Sequence, residues 1–315
     1  MSPIPIITLS DGNKVPQLGF GTWQSKPGEV GQSVEVAIEK GYRHLDFAKV
    51  YQNQKEIAPA LKKSGVPRSE LFLTSKLWNS AHAPQHVASA LDDTLAELEV
   101  DYLDLYLIHW PVAFLSDKPN TDLFPQKDGK SILDPNTTIV DTWKELIKLQ
   151  KAGKVKSIGV SNFTAAAIDA LEKATGVLPA LQPELLAYHK EKNITITAYS
   201  PLGNAYEGKK PVVQYDVIVE IAKKHDATPA QVLISWGALG GHTIIPKSVT
   251  PDRIASNFKS LDVKLDDDDI KKIEQLGKDN YVRFNIPYEY KPQWDINVFG
   301  EPQEKAATAD VQFGV

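Results

Sequence analysis

The chain has 315 residues, 42% of them hydrophobic and 24% charged, with a net charge of −5 and no cysteine. These values are those of an ordinary soluble globular chain, and they exclude a disulfide framework, thiolate zinc sites and a cysteine nucleophile. Both charge signs are interspersed, which argues against extended nucleic-acid contact and leaves any anionic ligand to a local cluster of cations.

The N-terminal MSPIPIITLSDG has neither a basic region nor an apolar stretch of signal-peptide length. No run approaches the roughly 18 apolar residues of a membrane span. The expectation is a cytoplasmic protein with no membrane partner. In chain order, Asp11-Gly12 between two apolar runs predicts a β-hairpin. Short apolar runs follow, each succeeded by a helical pattern: QLGF from Gln17, HLDFA from His44, LFLTSK from Leu71 and YLDLYLIHW from Tyr102. The beat continues with SIGVSN from Ser157, VLPAL from Val177, TITAYS from Thr195 and HTIIPK from His242. Helical spacing is seen in Val87, Leu91, Leu95 and Leu98. Strands alternating with helices predict βαβ units, and eight of them predict a closed (β/α)8 TIM barrel of one domain, residues 1–315. An open dinucleotide-binding sheet needs G-x-G-x-x-G, and Gly19-Phe-Gly21-Thr-Trp-Gln lacks the third glycine.

Three segments break the rhythm: Val112 to Thr137, Leu202 to Pro211, and the tail 279–315. The first two follow strand C-termini, where barrels carry their sites. Asp266 to Asp269 predict the start of a helix, where acidic side chains suit the dipole. The unit at Val177 is anomalous. Only Val177 to Gln182 separate a helix ending at Gly176 from one beginning near Pro183. Those six residues reach roughly 20 Å at full extension, with nothing spare for turns, and Pro179 lacks a ladder donor. A sixth strand here is short and taut, or the barrel wall has a gap.

Asp46, Tyr51, Lys76 and His109 are polar residues at successive strand ends. Such a set supports acid–base work on an oxygen. Tyrosine is a weak acid; a neighbouring ammonium is expected to lower its pKa, and Asp46 to keep Lys76 charged. His109 can donate to a substrate oxygen. No metal site is expected: there is no H-x-H or H-E-x-x-H, and His82 and His86 in HAPQH read as solvated loop residues. In IPKSVTPDRIASN, Lys247, Ser248 and Arg253 surround a predicted helix N-terminus near Pro251, an arrangement suited to an anion.

The segments GFGTWQ, GYRHLDFAKVYQN, LTSKLWN, DYLDLYLIHWP, KVKSIGVSNF, ITAYSPLG and IPKSVTPDRIASN, in this order, resemble the aldo-keto reductases, above all the fungal NADPH-dependent aldehyde reductases and glycerol dehydrogenases. The resemblance covers nearly the whole chain. It implies a barrel that binds NADPH and passes a hydride to a small-molecule carbonyl while Tyr51 donates a proton, with Asp46, Lys76 and His109 completing a tetrad. It places Gly21, Thr22, Ser161, Asn162, Tyr199, Ser200 and Leu202 along the nicotinamide and pyrophosphate. Lys247, Ser248, Arg253 and Asn257 fall at the adenosine end. Trp23, Trp78 and Trp110 form the substrate wall, with Trp294 and Phe299 of the tail covering it. It also leans toward a monomer. Two departures stand out: Ser256 replaces the usual glutamate before Asn257, and the Asn-Gln pair of the sixth strand is missing, with Gln182 assigned to the next helix. The alternative, suggested by the gap after Val177, is a catalytically impaired family member or a cofactor-binding protein. A phosphosugar lyase or isomerase fits the anion site but not the tyrosine–lysine pair.

Overall fold

A computed structural model of the chain describes residues 3–180, 186–206 and 208–315. It begins with an antiparallel hairpin of β1 (Ile6–Thr8) and β2 (Lys14–Pro16), turning at the predicted Asp11-Gly12, where Gly12 takes a φ of 88°. Strands and helices then alternate. They run β3 (Gly19–Gly21), α1 (Val30–Lys40), β4 (His44–Asp46), α2 (Gln54–Lys63), β5 (Phe72–Leu77), α3 (Pro84–Leu98) and β6 (Leu103–Ile108). After a hairpin of β7 (Gln126–Lys127) and β8 (Lys130–Ser131) come α4 (Ile139–Lys151), β9 (Val155–Val160), α5 (Ala165–Thr175) and α6 (Leu186–Lys192). The rest comprises β10 (Thr197–Tyr199), α7 (Asp216–Lys224), α8 (Pro229–Gly237), β11 (Thr243–Ile245), α9 (Pro251–Phe258) and α10 (Asp267–Asp279). In the tail β12 (Ile296–Asn297) pairs with β13 (Ala309–Asp310) in parallel.

β3, β4, β5, β6 and β9 form a parallel sheet in that order. Every residue of β5 and β6 is buried, as expected of parallel strands covered on both faces. β10 pairs in parallel with β11. β11 in turn meets β3, where the Ile244 amide donates to the Gln17 carbonyl at 2.8 Å and the Gly21 amide to the Pro246 carbonyl at 3.0 Å. Gly19 is what lets β3 sit between its neighbours. A Cβ there would come within 2.7 Å of His44 Nδ1 and 2.9 Å of Ile245 Cγ2. Helices follow their own signals. Thr138 caps α4 and Asp266 caps α10 in reciprocal capping boxes, and the helix predicted at the aspartate run begins where expected.

Seven of the eight predicted core strands are present among the described residues. None lies between α5 and α6 there, and β9 and β10 belong to separate sheets. Among the described residues, a hydrogen bond from the Ala180 amide to the Ile158 carbonyl at 2.9 Å ties the intervening segment to β9. Gln182 and the helix start near Pro183 lie outside the described residues.

Candidate active site

The strand ends converge as predicted. Asp46 closes β4 opposite Thr74 of β5, and Lys76 stands two residues further along β5, on the same face. Lys76 Nζ lies 2.6 Å from Asp46 Oδ1, donates to the Phe47 carbonyl at 2.7 Å, and reaches Tyr51 Oη at 3.4 Å. Asp46 and Lys76 are both buried. Tyr51, half-buried, ends a short helical turn at Lys49–Tyr51. Lys49 anchors that turn to α3 through ion pairs with Asp93 and Glu97. The ring of His109, just past β6, lies edge-on to Tyr51 at 5.9 Å and to Trp78 at 5.3 Å.

The electrostatics correct one expectation. The Tyr51 phenol is held well above its usual pKa, by burial first and by the Asp46 carboxylate second. The Lys76 ammonium, 3.4 Å away and itself bonded to Asp46, does not offset that rise. Burial lowers the Lys76 pKa, and Asp46 opposes that fall. His109 is held far below its usual value by burial, then by the charges of Lys76 and His82. The resting set is therefore a phenol, a neutral imidazole and a buried ion pair.

These residues line a cleft of about 390 Å³ together with Gly21, Thr22, Trp23, Trp78, Trp110, Ser161, Asn162, Tyr199, Ser200, Lys247 and Trp294. The Thr22 hydroxyl donates to the Asp46 carbonyl at 2.9 Å. Ser161 and Asn162 follow β9 directly. Asn162, at a φ of 62°, donates to the His109 carbonyl at 2.9 Å and accepts from Tyr199 Oη at 2.9 Å. Lys247 donates to the Gln24 carbonyl at 3.2 Å. Four predicted residues lie off this cleft. Leu202 packs against the core, Ser248 Oγ accepts from the Thr250 amide, Arg253 is exposed, and Asn257 is buried in α9.

Other groups at the site carry no motif in the sequence. Phe124, from the loop before β7, meets Trp78 at 5.4 Å. From the tail, Tyr290 Oη donates to Asn285 Oδ1 at 2.7 Å, and Asn285 donates to Tyr199 Oη at 3.3 Å. Phe299, which the resemblance placed over the pocket, lies edge-on to Trp110 at 6.1 Å but does not line the cleft. His82 corrects another expectation: it is 1% exposed, not solvated, and its backbone carbonyl accepts from the Thr142 hydroxyl of α4 at 2.9 Å. No helix among the described residues is long and apolar enough to cross a membrane.

Residues 17–278 match the model of the Aldo/keto reductase family, and the chain belongs to that family. It is a nicotinamide-dependent oxidoreductase acting on carbonyl groups. Among its relatives, the D/L-glyceraldehyde reductase of Hypocrea jecorina is 51% identical over 331 positions, covering 98% of each chain. That alignment exceeds the 315 residues of the chain, so the relative carries residues with no counterpart here. The NADPH-dependent D-xylose reductase of Meyerozyma guilliermondii is 40% identical over 90% of this chain and 97% of its own. In structure, the aldose reductase from Schistosoma japonicum superimposes with a TM-score of 0.82 at 38% identity, covering 90% of this chain and 94% of its own. The aldose reductase from Giardia lamblia gives a TM-score of 0.83 at 36% identity, covering 90% and 98%. These relatives do not favour a catalytically impaired member.

Proposed function

We propose that the chain reduces small aldehydes and ketones to alcohols with NADPH, Tyr51 acting as the general acid. The observation that carries this reading is the buried Lys76 ammonium, held 2.6 Å from Asp46 and 3.4 Å from Tyr51 in a cleft walled by tryptophan. A bound nicotinamide supplies the hydride. Every other task falls to the chain. Tyr51 and the neutral His109 hold the carbonyl oxygen. Because burial keeps the phenol protonated, Tyr51 has a proton to give at neutral pH, and it gives it as negative charge develops on that oxygen. The Lys76 ammonium stabilises the phenolate left behind, and Asp46 keeps that ammonium charged. Trp23, Trp78, Trp110 and Trp294 position the substrate and exclude water.

The donor set fits the cofactor. In this reading Ser161 and Asn162 take the carboxamide, Tyr199 stacks on the ring, and Gly21, Thr22, Ser200 and Leu202 follow the pyrophosphate. Lys247, Ser248 and Arg253, around the N-terminal end of α9, would hold the 2′-phosphate, and Asn257, near the other end of that helix, the adenine. The fold is then a (β/α)8-type barrel with a curtailed sixth unit, one domain over residues 1–315, whose tail from residue 279 covers the cleft. The protein acts as a cytosolic monomer. The test is Tyr51→Phe: turnover should fall by roughly 10²- to 10⁴-fold, while NADPH still quenches tryptophan fluorescence. Retained turnover would remove Tyr51 from its role.

A further inference from the structure

The turn that carries Tyr51 is joined to the strand that carries Lys76 by a run of polar side chains behind the cleft. The backbone bonds of the turn run from the Tyr51 amide to the Ala48 carbonyl at 3.0 Å and from the Gln52 amide to the Lys49 carbonyl at 3.1 Å. They set its shape but not its distance from β5. Lys49 Nζ donates to Glu97 Oε1 at 2.7 Å and also pairs with Asp93, one turn earlier on α3. The other oxygen of Glu97, Oε2, accepts from Gln54 Nε2 at 2.9 Å. Gln54 Oε1 in turn accepts from the Ser75 hydroxyl at 2.6 Å. Gln54 and Ser75 are buried, and none of these five side chains lines the cleft.

Each end of this bridge lies beside a reacting group: Lys49 is two residues before Tyr51, and Ser75 one before Lys76. Every link matches one donor to one acceptor, ammonium to carboxylate, amide to carboxylate and hydroxyl to amide oxygen. No member can turn over without leaving a buried group unpaired. Without Lys49, Asp93 and Glu97 would also stand as like charges at i and i+4 on one helix. We propose that this bridge sets the 3.4 Å separation of Tyr51 Oη and Lys76 Nζ, so that Lys49 is a positioning residue for the reduction, acting from outside the cleft. An ion pair serving helix stability alone would need no continuation through Gln54 to β5.

The inference rests on the proposed role of Tyr51 as acid. Lys49→Met should lower kcat/KM for an aldehyde roughly 10- to 100-fold, the cost of displacing a catalytic group by up to about 1 Å. NADPH affinity, read by tryptophan quenching, should be unchanged. Lys49→Arg, which keeps a cation between the two carboxylates, should restore most of the loss. Ser75→Ala cuts the far end and should lower kcat/KM in the same way. The double variant should then lose no more than Lys49→Met alone, because both changes break one bridge. Losses that multiply would mean two separate effects and overturn the bridge. An unchanged kcat/KM per folded molecule in either single variant would overturn it too, even with a lower melting temperature. Tyr51→Phe keeps the two readings apart. If it retains turnover, the acid and its positioning fall together; if it abolishes turnover while Lys49→Met and Ser75→Ala leave it intact, only the bridge falls. Should Lys49→Met fail to fold, Ser75→Ala decides alone by the same criterion.

Discussion

On one side of the cleft β4, β5, β6 and β9 form a continuous ladder, six residues long in three of them, whereas on the other β10 and β11 pair over only three residues each. The proton-handling groups all stand on the first side: Asp46 on β4, Lys76 on β5, His109 after β6. The groups assigned to the cofactor are divided, with Ser161 and Asn162 after β9 but Tyr199 and Lys247 on the thin side. Chemistry and cofactor grip thus rest on scaffolds of different solidity. A shortened sixth unit threatens the second more than the first.

The largest effect should come from breaking the buried pair on the solid side. Asp46→Asn leaves the Lys76 ammonium buried without its carboxylate and should cost about 3–5 kcal/mol, seen as a fall in the urea midpoint. Because Asp46 raises the Lys76 pKa, its loss should also let Lys76 shed its proton at lower pH. The double change Asp46→Asn, Lys76→Met removes both charges and should restore part of the loss. If the double variant is no more stable than the single, the pair does not carry the energy assigned to it.

Next in size is acid sensitivity. Burial lowers the pKa of His44 and of His109, and it brings that of His82 down to about 3. The unfolded chain therefore binds more protons than the folded one below the ordinary histidine value of about 6.5. Stability should be flat above that pH and fall below it, by about 1.4 kcal/mol per pH unit from His82. His82 contributes down to its own pKa of about 3. Urea midpoints at pH 7 and pH 5 measure this directly, and equal midpoints would contradict it.

The smallest effect tests the thin side. Lys247→Met should weaken NADPH roughly tenfold, as expected for a lost charge-assisted hydrogen bond, and leave NADH nearly unchanged. The loss should reappear as a smaller rise in melting temperature on adding NADPH. An equal loss for both cofactors would move Lys247 away from the 2′-phosphate.

The same division explains what could be read in the sequence. Strand rhythm and polar strand ends depend on local pattern, so the hairpin, seven strands and the convergence of Asp46, Tyr51, Lys76 and His109 were legible. The limit on Val177 to Gln182 is a matter of chain length, also local. Asn285 and Tyr290 were not, because they reach the cleft through the path of an irregular tail that no periodicity encodes. His82 misled for a related reason: Pro84 marks the start of α3, not exposure, and burial of the preceding turn depends on a distant element, α4, whose Thr142 bonds the His82 carbonyl. The acidity of Tyr51 required knowing that a hydroxyl close in space to a lysine lies in surroundings where desolvation outweighs the charge.

Four of the six tryptophans, Trp23, Trp78, Trp110 and Trp294, line the cleft. Trp294 sits 5.8 Å from Trp78 and 5.3 Å from Trp110, ring to ring. Neighbouring indoles this close exchange excitation, so photons absorbed by any of them sample the same surroundings before they are emitted. Emission from the whole protein is therefore weighted to the cleft, and the arrival of a ligand there can be followed in the unlabelled chain by light alone.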